Sequence, residues 1–161
     1  NIDNILTMTI DDVLAFFKEQ NQTKIVQKLQ PLQDVGLGYV QLGQSSSTLS
    51  GGEAQRIKLA SFLVKGTTKD KALFVFDEPT TGLHFHDIKK LLASFEALIE
   101  KGHSIIVIEH NLDLIKCADY IIDIGPEGGE NGGKLMAFGS PEDVAKNPKS
   151  ITGKYLKEKL R

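Results

Sequence analysis

The sequence has 161 residues, which is one domain's worth of chain, with 40% hydrophobic and 25% charged residues. This balance is ordinary for a soluble globular protein, and the formal net charge of −2 gives no electrostatic sign of a nucleic-acid or membrane partner. Cys117 is the one cysteine, so an internal disulfide and a cysteine-based zinc site are excluded. We expect a reducing, cytoplasmic setting with no signal peptide, and Asn1 in place of Met suggests an excised piece of a longer chain.

Residues 1–48 are predicted to form a helical and loop lead-in. Thr9 and Asp12 have the spacing of a helix cap, and a second helix is expected over 23–34, where Pro31 should break or bend it. From Val35 to Leu49 the sequence becomes rich in Gly and Ser, which predicts a loop with a short extended piece.

Residues 49–161 are predicted to form an α/β domain. ALFVF (72–76) is a continuous apolar run, the pattern of a strand buried on both faces. Alternating helices and strands favour a parallel sheet flanked by helices. The predicted elements, in chain order, are a helix at 50–65, strand 72–76, helix 85–101, strand 104–109, helix 112–118, strand 120–124, strand 134–139, and helices from Pro141 with Ser140 as cap and from Ile151 to Leu160.

The stretch LSGGEAQRIKLA (49–60) opens one of these helices. Ser50 and Glu53 can form a capping box, S-x-x-E, and the two glycines between them leave backbone N–H groups uncovered. The helix dipole adds positive potential there, so the stretch is a candidate anion site. A well-capped surface helix explains the same four residues.

Two further polar clusters follow predicted strands. Asp77 and Glu78 follow the first strand at its carboxyl end, which is where parallel sheets bind ligands. Asp77 is suited to binding Mg²⁺, and Glu78 is suited to positioning or deprotonating an attacking water. Glu109-His110-Asn111 follow the next strand, and His110 could donate to a phosphate or hold that water. Each cluster alone could be a charged turn, but three clusters at one sheet edge make coincidence much less probable.

The order and spacing of these motifs resemble the nucleotide-binding domain of ATP-binding-cassette (ABC) proteins. LSGGE is similar to the signature loop, Asp77-Glu78 to the Walker B pair and His110 to the switch histidine. Transporter cassettes usually continue with S-A-L-D after DEP, whereas this chain has PTTGLHFHD (79–87). With GLGYVQLGQSSSTLSGGEAQRIKLA, VIEHNLDLIKCADYIIDIGPEGGENGG and TGKYL, the chain resembles the C-terminal part of the second such domain in the UvrA family, the damage-recognition subunit of the bacterial excinuclease.

The resemblance implies a role for each motif residue. Ser50, Gly51, Gly52 and Glu53 would contact nucleotide held by a partner domain. Asp77 would hold Mg²⁺, while Glu78 and His110 would be catalytic toward nucleotide on this domain's own phosphate loop. The loop that bridges the two sites, the D-loop, would be Thr81, Gly82, Leu83 and His84.

The resemblance also implies cofactors and partners. The cofactors would be ATP and Mg²⁺, with zinc expected only in parts of the parent that this chain lacks. The partners would be the other nucleotide-binding domain, a second UvrA copy, UvrB and damaged double-stranded DNA, with no membrane. The function would be ATP binding and hydrolysis in bacterial nucleotide excision repair, within the SOS response to DNA damage.

The glycine-rich stretch GPEGGENGGKL (125–135) has most of a phosphate loop, G-x-x-x-x-G-K-[S/T]. Leu135 replaces the hydroxyl residue, and the stretch follows the signature and precedes an apparent strand. We therefore interpret it as a turn, and expect the true phosphate loop, Walker A, to lie outside this chain. An isolated chain without that loop is predicted to be inactive.

Several alternatives remain open from sequence. The chain could belong to another ABC protein, transporter or not, or act only as a non-catalytic interface module. His84-x-His86 could be two metal ligands, although exposed residues at a helix start are the favoured interpretation. Gln41 and Gln44 are assigned no role.

Overall fold

The computed structural model describes residues 1–65, 71–127, 129 and 132–160. They form two compact units, Asn1–Ile108 and Glu109–Arg161. The division at residue 48 that the sequence suggests stays a prediction. The sequence predicts a solvated turn at KGTTKDK (65–71), and residues 66–70 of that stretch lie outside the described residues. No helix in the described ranges is long and apolar enough to cross a membrane.

Up to residue 65 the first unit consists of helices joined by loops, and from residue 73 it contains two strands and a helix between them. Its elements in chain order are α1 (Ile2–Thr7), α2 (Ile10–Glu19), α3 (Thr23–Asp34), a 3-10 turn (Ser46–Thr48), α4 (Gly51–Lys65), β1 (Leu73–Asp77), α5 (Phe85–Glu100) and β2 (Ser104–Ile108). Its most deeply buried apolar side chains come from α2, the loop after α3, α4 and α5: Val13, Leu14, Leu37, Leu59, Leu91 and Leu98.

Local capping signals correctly predicted where helices begin. The Thr9 side chain accepts from the Asp12 N–H at 3.2 Å at the start of α2. At a helix end, Gly102 follows α5 and takes φ +85°, a conformation that glycine adopts readily. Helix α3 continues through Pro31 to Asp34, so the expected break there is wrong. Because Pro31 lies in the last turn, its missing N–H removes only one helical hydrogen bond.

Strands β1 and β2 pair in parallel, with Leu73 opposite Ser104 and Asp77 opposite Ile108. One face packs on α5, where the rings of Phe76 and Phe95 lie 4.9 Å apart. The other face is exposed: Leu73, Val75, Ile106 and Ile108 keep 51–61% of their surface. The prediction that the first strand is buried on both faces is therefore wrong, because no described element of this unit covers the second face.

The second unit is a β-hairpin with three short helices: α6 (Leu112–Ile115), β3 (Ile121–Gly125), β4 (Lys134–Gly139), α7 (Pro141–Lys146) and α8 (Ile151–Lys159). β3 pairs antiparallel with β4, and not with the parallel pair as the βαβ pattern had indicated. A small core of Ile121, Ala137, Val144 and Leu156 holds the hairpin against α7 and α8.

Asp123 ties the hairpin to the start of α8. Its carboxylate accepts from the Ser150 hydroxyl at 2.5 Å and from the Thr152 hydroxyl at 2.9 Å. Ser140 caps α7 as predicted, accepting from the Asp143 N–H at 3.2 Å. The mixed α/β class predicted from the sequence is thus confirmed, with one parallel and one antiparallel strand pair.

Candidate functional site

Helix α4 begins with the capping box that the sequence predicts. The Glu53 N–H donates to the Ser50 hydroxyl at 3.2 Å, and the Ser50 N–H donates to Glu53 Oε2 at 2.7 Å. This reciprocal pair satisfies two backbone donors at the helix start and fixes the direction in which the chain enters the helix.

The second carboxylate oxygen of Glu53 is bound by a residue that sequence analysis did not select. Tyr39 Oη donates to Glu53 Oε1 at 2.6 Å. That hydrogen bond is the main reason why the pKa of Glu53 lies below its usual range, and the bond from the Ser50 N–H is the second. The pKa of Tyr39 is raised mainly by burial and secondly by the hydrogen bond to Glu53. Near neutral pH the pair is therefore a neutral phenol donating to a carboxylate.

Arg56, one turn further along α4, has no exposed surface. Its Nη1 donates to the carbonyl of Pro79 at 2.6 Å and to that of Thr81 at 3.3 Å. Its Nη2 donates to Tyr39 Oη at 3.4 Å. Burial lowers the pKa of Arg56, but an arginine keeps its charge at any physiological pH. The guanidinium therefore connects α4 to the segment that follows β1.

The two glycines of the motif have different surroundings. A Cβ added at Gly51 would meet no atom within 4 Å, so the helix start is open on that side. A Cβ at Gly52 would lie 3.3 Å from Arg56 Nη1 and 3.5 Å from the carbonyls of Glu78 and Thr81. Gly52 therefore lies on the packed side of the helix start, whereas Gly51 leaves the positive end of the helix accessible to an anion.

Asp77 and Glu78 lie at the end of β1 with exposed side chains. Glu78 takes φ +46°, a left-handed conformation that few residues other than glycine adopt. Its N–H donates to the Ile108 carbonyl at 2.9 Å, and its own carbonyl accepts from the Thr81 N–H at 3.1 Å. The parallel sheet and the turn after it thus over-determine the backbone here, which is how strained residues persist at functional sites.

The predicted D-loop is a tight turn between β1 and α5. The Leu83 N–H donates to the Thr80 carbonyl at 3.0 Å, and Gly82 takes φ +77°. His84 is the N-cap residue of α5 without a side-chain capping bond, and both His84 and His86 are exposed.

Glu109 and His110 open the second unit. The Glu109 carboxylate accepts from the N–H groups of His110 at 2.8 Å and of Asn111 at 2.9 Å. Asn111 then caps α6 by accepting from the Asp113 N–H at 2.9 Å. Glu109 therefore shapes the backbone that carries His110, whose side chain is exposed.

The glycine-rich stretch after β3 connects two strands. Gly128, Glu130 and Asn131 lie outside the described residues, but Lys134 is the first residue of β4 and pairs with Gly125. Gly133 takes φ +72° just before that strand. A phosphate loop opens into a helix. The described residues on either side of this stretch therefore belong to two paired strands, which agrees with the turn interpretation.

Nowhere in the described part of the chain do three or more His, Cys, Asp or Glu side chains gather into a group that could hold a metal ion. Asp77 and Glu78 are exposed carboxylates. This donor set fits Mg²⁺ held mainly by phosphate oxygens and water with one carboxylate, which is the usual arrangement at nucleotide sites. It does not fit a metal site formed by protein ligands alone.

Sequence analysis missed Tyr39, Gln55 and Arg56. The position of Arg56 in the sequence could have identified it. By helical spacing it shares one face of α4 with Gly52, Leu59 and Ala60, and these four residues are buried. A charged residue in the middle of such a face predicts a specific buried partner. No local pattern identifies Tyr39, which lies outside the helix.

Several bacterial proteins that resemble the chain carry the name UvrABC system protein A. UvrABC system protein A of Aquifex aeolicus is 58% identical over all 161 residues, and that of Clostridium acetobutylicum is 59% identical over 160 residues. A solved structure of UvrA2 from Deinococcus radiodurans is 42% identical, covers 100% of the chain and superposes with a TM-score of 0.83. The whole chain matches a segment of UvrA.

That segment is a minor part of its relatives. The chain spans 17% of the curated UvrA sequences and 19% of the UvrA2 structure. A solved structure of a bacterial Atm1-family ABC exporter with ATP bound has a TM-score of 0.55 and 22% identity, and the match covers 98% of this chain and 27% of the exporter chain. That likeness shows an ABC-type fold alone. No protein-family model matches the chain.

Proposed function

We propose that the chain is the C-terminal part of a nucleotide-binding domain in a UvrA-type protein and contributes to two ATP sites. The match to UvrA over all 161 residues carries this proposal. Identity to UvrA2, at 42%, exceeds identity to the exporter, at 22%, which favours the repair protein over a transporter. The phosphate loop of the domain would lie in another part of the longer protein.

The start of α4 is proposed to contact ATP held by the partner nucleotide-binding domain. Gly51 and Gly52 carry backbone N–H groups of the first turn, Ser50 would contact the phosphate through its hydroxyl, and the open side of Gly51 supports the approach of a phosphate there. Glu53, held by Tyr39 and the Ser50 N–H, fixes the geometry of that terminus.

The end of β1 is proposed to serve ATP bound on the domain's own phosphate loop. Glu78 is the proposed general base, which positions the attacking water and accepts its proton. Asp77 would hold Mg²⁺, which when bound neutralises charge on the phosphate oxygens. His110 would donate a hydrogen bond to the γ-phosphate, and Thr81 to His84 would bridge the two sites.

The wider role follows from the same proposal. ATP binding and hydrolysis would regulate UvrA dimerisation, the sensing of DNA damage and the loading of UvrB, in cytoplasmic nucleotide excision repair and the SOS response. DNA contacts and any zinc would lie mainly in other parts of the longer protein.

The Glu78→Gln substitution in the full-length protein tests the catalytic assignment. Loss of the base should lower ATP turnover by about 10²–10⁴-fold. ATP affinity, measured by equilibrium binding of a fluorescent analogue, should stay near that of the unchanged protein. His86→Gln serves as the control, because His86 is exposed on α5 and has no proposed role. Unchanged turnover in the Glu78 variant would remove this residue from catalysis.

A further inference from the structure

Gln55 binds the last residue of β1 through both ends of its side-chain amide. Its Nε2 donates to the Asp77 carbonyl at 3.0 Å, and its Oε1 accepts from the Asp77 N–H at 3.1 Å. The N–H and C=O of one strand residue point to the same side, so the amide occupies the strand edge as a neighbouring peptide would. The end of β1 is thereby held between β2 on one side and a side chain of α4 on the other.

The next residue of α4 continues this connection beyond the strand. Arg56 donates to the carbonyls of Pro79 and Thr81, which follow Glu78, whereas Gln55 binds Asp77, which precedes it. Helix α4 therefore contacts the backbone on both sides of Glu78. Gly52 packs against the Glu78 carbonyl in the same region. The helix that begins with the proposed signature loop is therefore bonded directly to the segment that carries Asp77 and Glu78.

We propose that Gln55 and Arg56 are positioning residues that couple the signature loop to Asp77 and Glu78 of the same domain. The inference rests on the proposed function and adds a physical link between its two half-sites. A phosphate at the start of α4 favours one position of that helix, and Gln55 transmits this position to the Asp77 backbone. The left-handed backbone of Glu78 makes its side-chain direction sensitive to such a shift.

Gln55→Met in the full-length protein tests the coupling. Methionine keeps the length and helix propensity of glutamine but removes both hydrogen bonds. We expect kcat for ATP hydrolysis to fall about tenfold while KM for ATP stays within about twofold, because the bonds orient catalytic groups rather than bind nucleotide. Gln55→Glu keeps the acceptor for the Asp77 N–H but turns a carboxylate oxygen toward the Asp77 carbonyl, so its kcat should fall at least as far. Gln27→Met, on the exposed side of α3, should leave kcat unchanged.

The outcomes separate this inference from the function on which it rests. A full-length protein that hydrolyses no ATP contradicts the proposed function itself. An active protein in which Gln55→Met keeps its kcat contradicts the coupling alone. If both Gln55 variants lose activity and their melting temperatures fall by about 10 °C or more, Gln55 is a structural residue and the coupling is wrong.

Discussion

Tyr39 shows how one residue outside a motif sets the chemistry inside it. Its hydroxyl is the largest influence on the ionisation of Glu53 and also lies within hydrogen-bond distance of Arg56. Tyr39, Glu53 and Arg56 therefore form one polar network at the start of α4. The network spans a phenol, a carboxylate and a buried guanidinium, so a change at any one of them alters the other two.

Tyr39→Phe should raise the pKa of Glu53 toward its ordinary value. A carboxylate whose pKa is depressed in the folded state adds stability above its unfolded pKa and loses it as the pH falls through the folded pKa. Without the phenol, that loss should begin at a higher pH. A ¹³C NMR titration of the Glu53 carboxyl measures the shift directly, and Tyr155→Phe, on α8 of the other unit, is the matched control. An unchanged Glu53 titration would contradict the proposed influence of Tyr39.

Helix α4 has assigned contacts both at its start and on its buried face. Its capping box satisfies the first turn, and Gly52, Gln55 and Arg56 face the end of β1. The open Gly51 side and the packed Gly52 side thus place the accessible helix start beside the catalytic segment. The stability of the helix start and the geometry of the candidate site are consequently linked.

Ser50→Ala should lower the free energy of unfolding by about 1 kcal/mol, the usual effect of removing an N-cap side chain. The reason is that the Glu53 N–H loses its acceptor. Urea denaturation of the chain measures the change. Ser61→Ala on the same helix should have a smaller effect, because its hydroxyl bonds the Lys58 carbonyl within the helix. Equal stabilities for Ser50→Ala and the unchanged chain would mean that the capping box does not form in solution.

The sequence predicts elements with local signals well and their partners poorly. The caps at Thr9, Ser50 and Ser140 depend on residues three positions apart, so they can be read from the sequence. The coverage of the second face of β1 depends on other elements, and an apolar run contains no information about which of them are present. The partner of β3 is likewise decided by pairing, and here it is the next strand along the chain.

The candidate site divides in the same way. Ser50, Asp77, Glu78 and His110 could be selected because their motifs have a fixed order. The bonds from Gln55 and Arg56 to the β1 region span 22 to 25 residues in sequence, and no short pattern predicts such contacts. The left-handed backbone at Glu78 also depends on β2 and could not be predicted from local residues alone.

At the scale of the whole molecule, the chain has one set of ATPase motifs without a phosphate loop in its described residues. The exposed apolar face of β1 and β2 and the 17% coverage of UvrA relatives agree with a domain completed by other parts of a longer protein. Lys134 begins a strand, whereas the lysine of a phosphate loop opens a helix, so Lys134 does not fit that role. Catalysis should therefore need the longer protein.

ATP turnover by the isolated 161-residue chain, measured beside the full-length protein, tests this central claim most directly. The account predicts hydrolysis by the full-length protein and none above background by the isolated chain. Lys134→Ala should leave both results unchanged. Turnover by the isolated chain that disappears in the Lys134→Ala variant would contradict the account, because the glycine turn would then be acting as a phosphate loop.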